Sequence, residues 1–264
     1  MNIREILGLQ KQFIIGMVHC LPLPGTLHFG GDIGKVYAQA VQDAQTLQTA
    51  GVDAVIVENM GDDPFAVKLE PAQLAALTVA TQKVMDAVSI PVGVDAAFND
   101  YAASLSIARA TGAQFVRVTV FVDTVVYYGG IINPCARDCM LYRKALGCQD
   151  IMVLADVQVK HTEMLLPHVT VAASAIRAAA CGADAVIVTG TAIGVETPIQ
   201  TIEQVKKHIK VPVIAGSGVN AGNIRAQLAI ADGAIIGTSM KEGGILNNPI
   251  SELMARELVS ALRA

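Results

Sequence analysis

Eight short apolar, β-rich runs follow one another along this 264-residue chain, at residues 13–19, 52–58, 92–95, 115–119, 151–156, 185–189, 211–215 and 234–237. Helical patterns alternate with them, over 35–50, 71–88, 100–111, 134–146, 168–181, 198–209, 221–231 and 249–262. The runs recur at the spacing of βα units. They are continuously apolar, as strands are when helices cover one face and a core fills the other. Pro71, Pro134, Pro198 and Pro249 stand near helix starts, where a missing N–H costs nothing, and Gly51, Gly112, Gly147 and Gly182 stand just past helix ends. Eight such units in series predict an α/β fold, a single (β/α)₈ TIM barrel spanning residues 1–264 as one domain.

An internal repeat agrees with this. AGVDAVIVEN (50–59) aligns with CGADAVIVTG (181–190), IPVGVD (90–95) with VPVIAG (211–216), and more loosely GAQFVRVT (112–119) with DGAIIGTS (232–239). The offset is four units each time, the pattern of a duplicated half-barrel or of buried parallel strands alike in composition.

Composition narrows the function. A hydrophobic fraction of 53 % supports one large core, and a net charge of −4 with no long basic run argues against nucleic acid as a main partner. Mean hydropathy is high at +0.49, yet no apolar run reaches the roughly 18 residues of a membrane span. The N-terminal stretch MNIREILGLQKQF lacks the apolar core of a signal peptide. Cys20, Cys135, Cys139, Cys148 and Cys181 are an odd set without a disulfide pattern, so a cytoplasmic location is expected.

The stretch 211–244 carries the most specific local signal. A strand ends in Gly216-Ser217-Gly218, a helix is expected from an N-cap at Asn220, and a second strand ends in Gly237-Thr238-Ser239. Two adjacent parallel strands ending in small residues, each followed by a helix start, form a phosphate cradle. In these barrels that cradle is frequently built after strands seven and eight. The plainer reading is two turns that need glycine for their geometry. A bulky side chain at Gly218 is expected to block a phosphate.

Catalytic groups of such barrels lie where strands end. The runs end in His19, in Glu58-Asn59, in Asp95, in Thr119, in Asp156 and in Thr189. Glu58, Asp95 and Asp156 offer oxygen ligands for a divalent cation or an acid/base pair. In ADVQVKH an extended backbone would point Asp156, Gln158 and Lys160 the same way. Lys160 then holds a substrate anion or forms a Schiff base, unless it merely reaches out to water. Loops 20–32 and 120–133, the second with Tyr127, Tyr128 and Gly129-Gly130, are candidate lids or contacts of a homo-oligomer.

GMVHCLPLPG (16–25), AVIVENMGDDPF (54–65), PVGVDAAFND (91–100), FVRVTVFV (115–122), ADVQVKH (155–161) and IAGSGVNAGN (214–223) together resemble the BtpA family, including its SgcQ-like bacterial members. The resemblance covers nearly the whole chain. It implies a TIM barrel of the ribulose-phosphate-binding kind and a setting in carbohydrate metabolism, without a settled activity. The family takes its name from a cyanobacterial factor needed for photosystem I accumulation. Four positions depart from the family pattern: Asp95 and Thr119 where Asn is expected, Phe98 where a basic or larger residue is expected, and Gln158 for His.

These features together read as an enzyme acting on a small phosphorylated metabolite, a sugar phosphate first of all, by isomerisation, aldol-type cleavage or hydrolysis. Gly216, Ser217, Gly218, Gly237, Thr238 and Ser239 would hold the phosphate, and His19, Glu58, Asp95, Asp156 and Lys160 would act on the other end. The alternatives are a non-catalytic assembly factor and a barrel binding flavin mononucleotide through the same cradle. A colourless purified protein would remove the last.

Overall fold

In a computed structural model describing residues 8, 12–190 and 195–263, the eight apolar runs are the parallel strands of a closed barrel. They are β1 (Phe13–His19), β2 (Ala54–Glu58), β3 (Val92–Asp95), β4 (Phe115–Val118), β5 (Met152–Val157), β6 (Ala185–Val188), β7 (Val213–Ala215) and β8 (Gly233–Ile236). Each pairs with its successor, and β8 closes onto β1 through Phe13 opposite Gly233 and Gly16 opposite Ile236. The helices are α1 (Ile33–Ala50), α2 (Pro71–Ala87), α3 (Tyr101–Thr111), α4 (Ala136–Ala145), α5 (Val171–Ala180), α6 (Ile199–His208), α7 (Ile224–Leu228) and α8 (Glu252–Arg263). This is a (β/α)₈ TIM barrel. The N-terminal stretch read for a signal peptide lies mostly outside the described residues. Among the described residues no helix is long and apolar enough to cross a membrane.

Strand side chains alternate between two cores, as a period of two requires. Val18, Val55, Val57, Val94 and Val116 face outward into the layer under the helices. Phe13, Ile15, Ile56, Phe115, Leu154 and Ile187 fill the barrel interior. Gly93 makes room for one of the large inner rings: a Cβ there would lie 2.2 Å from Phe115. Counting on by two from these apolar layers reaches His19, Glu58, Asp95, Arg117 and Asp156, so the inner face turns polar at the carboxyl ends of the strands.

The opposite end explains part of the internal repeat. Asp53, just before β2, accepts from the Ile14 N–H of β1, and Asp184, just before β6, accepts from the Val153 N–H of β5. Gln114 before β4 and Asp232 before β8 do the same for Val92 and Val213. Every second strand start therefore caps a backbone donor of its predecessor. The aligned Asp53 and Asp184 are repeated because the same donor needs an acceptor four units later.

Helix limits follow local chemistry. Asp32, Asp100 and Thr170 accept from backbone N–H groups at the starts of α1, α3 and α5. Gly51 and Gly112 end α1 and α3 in the left-handed conformation. The expected helix 221–231 is much shorter. Asn220 makes an Asx turn instead, its Oδ1 accepting from Gly222 N, and Asn223 precedes the five-residue α7.

Candidate active site

A cavity of about 290 Å³ opens at the carboxyl ends of the strands. His19, Glu58 and Lys160 line it, and so do Gly216, Ser217, Gly218, Gly237, Thr238 and Ser239. The two groups singled out in the sequence, small residues at β7 and β8 and titratable residues from other strands, share one space.

On the acid–base side, His19 Nε2 stands 3.4 Å from Glu58 Oε2. Burial works to lift the Glu58 carboxyl, but hydrogen bonding to His19, with the charges of His19, Arg117 and Lys160, holds it below the usual glutamate range. His19 Nδ1 is buried without a hydrogen-bond partner among the described residues.

Asp95 and Asp156 sit beneath this space. Arg117 donates from Nε to Asp156 Oδ1 at 2.8 Å and from a terminal nitrogen to Oδ2 at 2.9 Å, and its other terminal nitrogen lies 3.6 Å from Asp95 Oδ2. Burial and the nearby Glu58 charge push the Asp95 carboxyl well above its usual range against the pull of Arg117. The three carboxylates do not converge on one point, because the guanidinium stands between two of them. Among the described residues no group of three or more His, Cys, Asp or Glu is arranged to hold a metal ion.

The fifth unit departs from the extended path expected of it. β5 ends at Val157, and Gln158 takes a positive φ of 48°. Gln158 therefore leaves the barrel mouth: its backbone N–H donates to Asp123, and its side chain donates to the Val169 carbonyl. The turn returns Lys160 to the cavity, its backbone N–H donating to Thr189 Oγ1 at 3.2 Å. Among the described residues the Lys160 ammonium forms no ion pair or hydrogen bond. Burial and the Arg117 charge draw it below the usual lysine range, against the opposing pull of Glu58 and Asp156.

On the cradle side, the backbone N–H groups of Gly218, Val219, Thr238 and Ser239 meet no protein acceptor among the described residues. The Ser239 hydroxyl donates to the Val219 carbonyl and ties the two loops together. The helix contribution is smaller than the sequence suggests: α7 has five residues, and a single 3₁₀ turn (Thr238–Met240) follows β8. Gly218 also has a packing role. Its φ is +65°, and a Cβ there would fall 2.3 Å from Glu196 N, so a side chain would displace the 195–196 segment as well as obstruct a ligand.

The sequence profile of the BtpA family matches residues 10–264. The chain belongs to the BtpA family. An uncharacterized protein of Pyrococcus furiosus is 40 % identical over 96 % of this chain and 95 % of its own. The photosystem I biogenesis protein BtpA of Synechocystis is 34 % identical over 94 % and 87 %. Solved structures share the fold. N-(5'-phosphoribosyl)anthranilate isomerase from Pyrococcus furiosus superposes with a TM-score of 0.58 at 14 % identity, covering 96 % of this chain and 98 % of that one. (S)-3-O-geranylgeranylglyceryl phosphate synthase from Thermoplasma acidophilum, in complex with sn-glycerol-1-phosphate, gives 0.61 at 15 %, covering 99 % and 98 %.

The motifs that carry the BtpA resemblance divide between cavity and scaffold. In AVIVENMGDDPF, Glu58 faces the cavity while Asn59 and Asp62 hold loops. Asn59 accepts from Ala97 N and donates to the Ala97 carbonyl and to Asp62; Asp62 also accepts from Leu23 N and from Gln73. In PVGVDAAFND, Phe98 stacks on Tyr127 with ring centroids 5.1 Å apart and an interplanar angle of 13°. The Thr119 hydroxyl donates to the Phe98 carbonyl. The second long loop is an ordered cover: Val125–Tyr127, Gly130–Ile132 and Glu163–Met164 form a small antiparallel sheet, with the Tyr128 hydroxyl accepting from Phe65 N and donating to Asp63.

Proposed function

We propose that this BtpA-family chain is an enzyme acting on a small phosphorylated metabolite, of the sugar-phosphate class. One observation carries the reading: unpaired backbone donors of the β7 and β8 loops and the His19–Glu58–Lys160 group line the same cavity. An anion accepting from those N–H groups gains about 1.5–3 kcal/mol for each charge-assisted hydrogen bond. Phosphate at the cradle leaves the carbon chain to extend toward His19 and Glu58. Glu58, 3.4 Å from His19 Nε2, orients the imidazole, so the pair is set to take and return a proton. The Arg117 fork, filled by two aspartates, keeps the floor rigid rather than binding substrate directly.

Neighbours in fold support the same reading, since they include proteins whose names contain a phosphoribosyl or glyceryl phosphate group. A role in biogenesis is the second reading, favoured by the name of the Synechocystis relative. Titration calorimetry with D-ribose 5-phosphate and D-ribose tests the first. The phosphorylated sugar should bind at least tenfold more tightly, and Thr238→Asp, which sets a carboxylate in the cradle, should remove that preference. Equal affinities for the two sugars would overturn the reading.

A further inference from the structure

Lys160 is placed in a way that holding an anion does not require. It lines the same cavity as Glu58, Arg117 and the cradle, where the charges of Arg117, Glu58 and Asp156 act on it. Its backbone is fixed on both sides. Val159 is packed with Val120, Val125 and Ile132 under the small sheet, Thr162 Oγ1 donates to the Val159 carbonyl, and Lys160 N donates to Thr189. Its ammonium has no ion-pair partner among the described residues, although the carboxylates of Asp95 and Asp156 lie in the same barrel mouth. Arg117 already takes them: both oxygens of Asp156 and one of Asp95 face its fork. A half-buried second cation is thus left beside a first one, with Asp95 and Asp156 engaged by Arg117. That surrounding favours a neutral, nucleophilic amine, and burial beside Arg117 draws Lys160 in the same direction.

We propose that Lys160 forms a Schiff base with the carbonyl carbon of a phosphorylated keto compound, making the chain a carbon–carbon lyase of the aldol type. This rests on the phosphate-anchored reading of the same cavity. The neutral amine adds to the carbonyl carbon to give a carbinolamine, and its hydroxyl, protonated from solvent, leaves as water to give a protonated imine. The His19–Glu58 pair takes the proton from the hydroxyl on the carbon β to the imine. The bond between the α and β carbons then breaks, its electron pair moves onto the imine as an enamine, and an aldehyde departs. The pair returns the proton to the enamine α carbon, and water hydrolyses the protonated imine, releasing a ketone and, as the extra proton returns to solvent, restoring the neutral amine. No oxidant or reductant enters the cycle.

The test incubates the full chain with dihydroxyacetone phosphate or with dihydroxyacetone, each with sodium cyanoborohydride, and maps the reduced adducts by peptide mass spectrometry. Calorimetry with inorganic phosphate runs in parallel. Lys160 should be modified by the phosphorylated ketone at least tenfold faster than exposed Lys35 and at least tenfold faster than by dihydroxyacetone. Inorganic phosphate should protect it, and Lys160→Ala, checked for native circular dichroism, should lose the fast adduct. Modification of Lys160 no faster than Lys35, with inorganic phosphate still binding, overturns the Schiff base and leaves the phosphate reading standing. Fast modification of Lys160 by both ketones alike supports the Schiff base and overturns the phosphate anchor. Slow modification together with no phosphate binding overturns both.

Discussion

Arg117 is the residue on which the floor of the site depends. Buried in the barrel, it answers two carboxylates that would otherwise face each other and Glu58. Arg117→Met leaves those charges uncompensated and should cost about 3–5 kcal/mol in urea denaturation, the usual loss when one partner of a buried ion pair is removed. Asp95→Asn should do the opposite. Asp95 keeps its proton to higher pH in the folded chain than in the unfolded one, so the native state binds more protons across that window. Stability therefore falls as pH rises from about 4 through the raised native value, at a rate of up to about 1.4 kcal/mol for each pH unit crossed. The variant, which has no proton to lose, should gain on the parent as pH goes from about 4 to about 8; a pH-independent difference between the two would contradict this. His19, Glu58, Asp95 and Asp156 were legible as strand-end residues. Arg117 was not, because it sits inside the apolar run FVRVT rather than at its end. Counting by two from Phe115 to Thr119 places it on the inner face, a signal that strand ends alone do not give.

Among the elements, the strands were readable because each is a contiguous apolar run with its own hydrogen-bond ladder. The segment after β7 was not. Asn220 has the chemistry of an N-cap, but its side chain closes a local Asx turn with Gly222 and so delays the helix to Ile224. The fifth unit misled for a related reason: alternation predicts side-chain direction only while the backbone stays extended, and β5 ends before Gln158. Two predictions belong to this scale. Asp184→Ala strands the Val153 N–H and removes the Arg143 ion pair, and should lower stability by about 1–3 kcal/mol without changing ligand affinity. Gly93→Ala drives a methyl group into the Phe115 ring and should cost a similar amount, about 1–3 kcal/mol, through overpacking. Thermal melts of the two variants beside the parent check both.

For the whole molecule, the barrel does two separable things. Its amino ends hold strands together through the caps at Asp53, Gln114, Asp184 and Asp232, and its carboxyl ends gather the cavity. The small sheet over residues 125–164 closes part of that mouth through the Phe98–Tyr127 stack and the Val159 cluster. In the proposed complex a phosphate occupies the β7–β8 side and the reacting carbons lie toward His19, Glu58 and Lys160. Crystals of the protein soaked in arsenate, an anomalously scattering analogue of phosphate, locate the anion directly. One anomalous peak is expected within hydrogen-bond distance of the backbone nitrogens of Gly218, Val219, Thr238 and Ser239, and it should be lost in Thr238→Asp crystals. A peak beside Lys160 and Arg117 instead, or none in the cavity, would contradict the phosphate-anchored site.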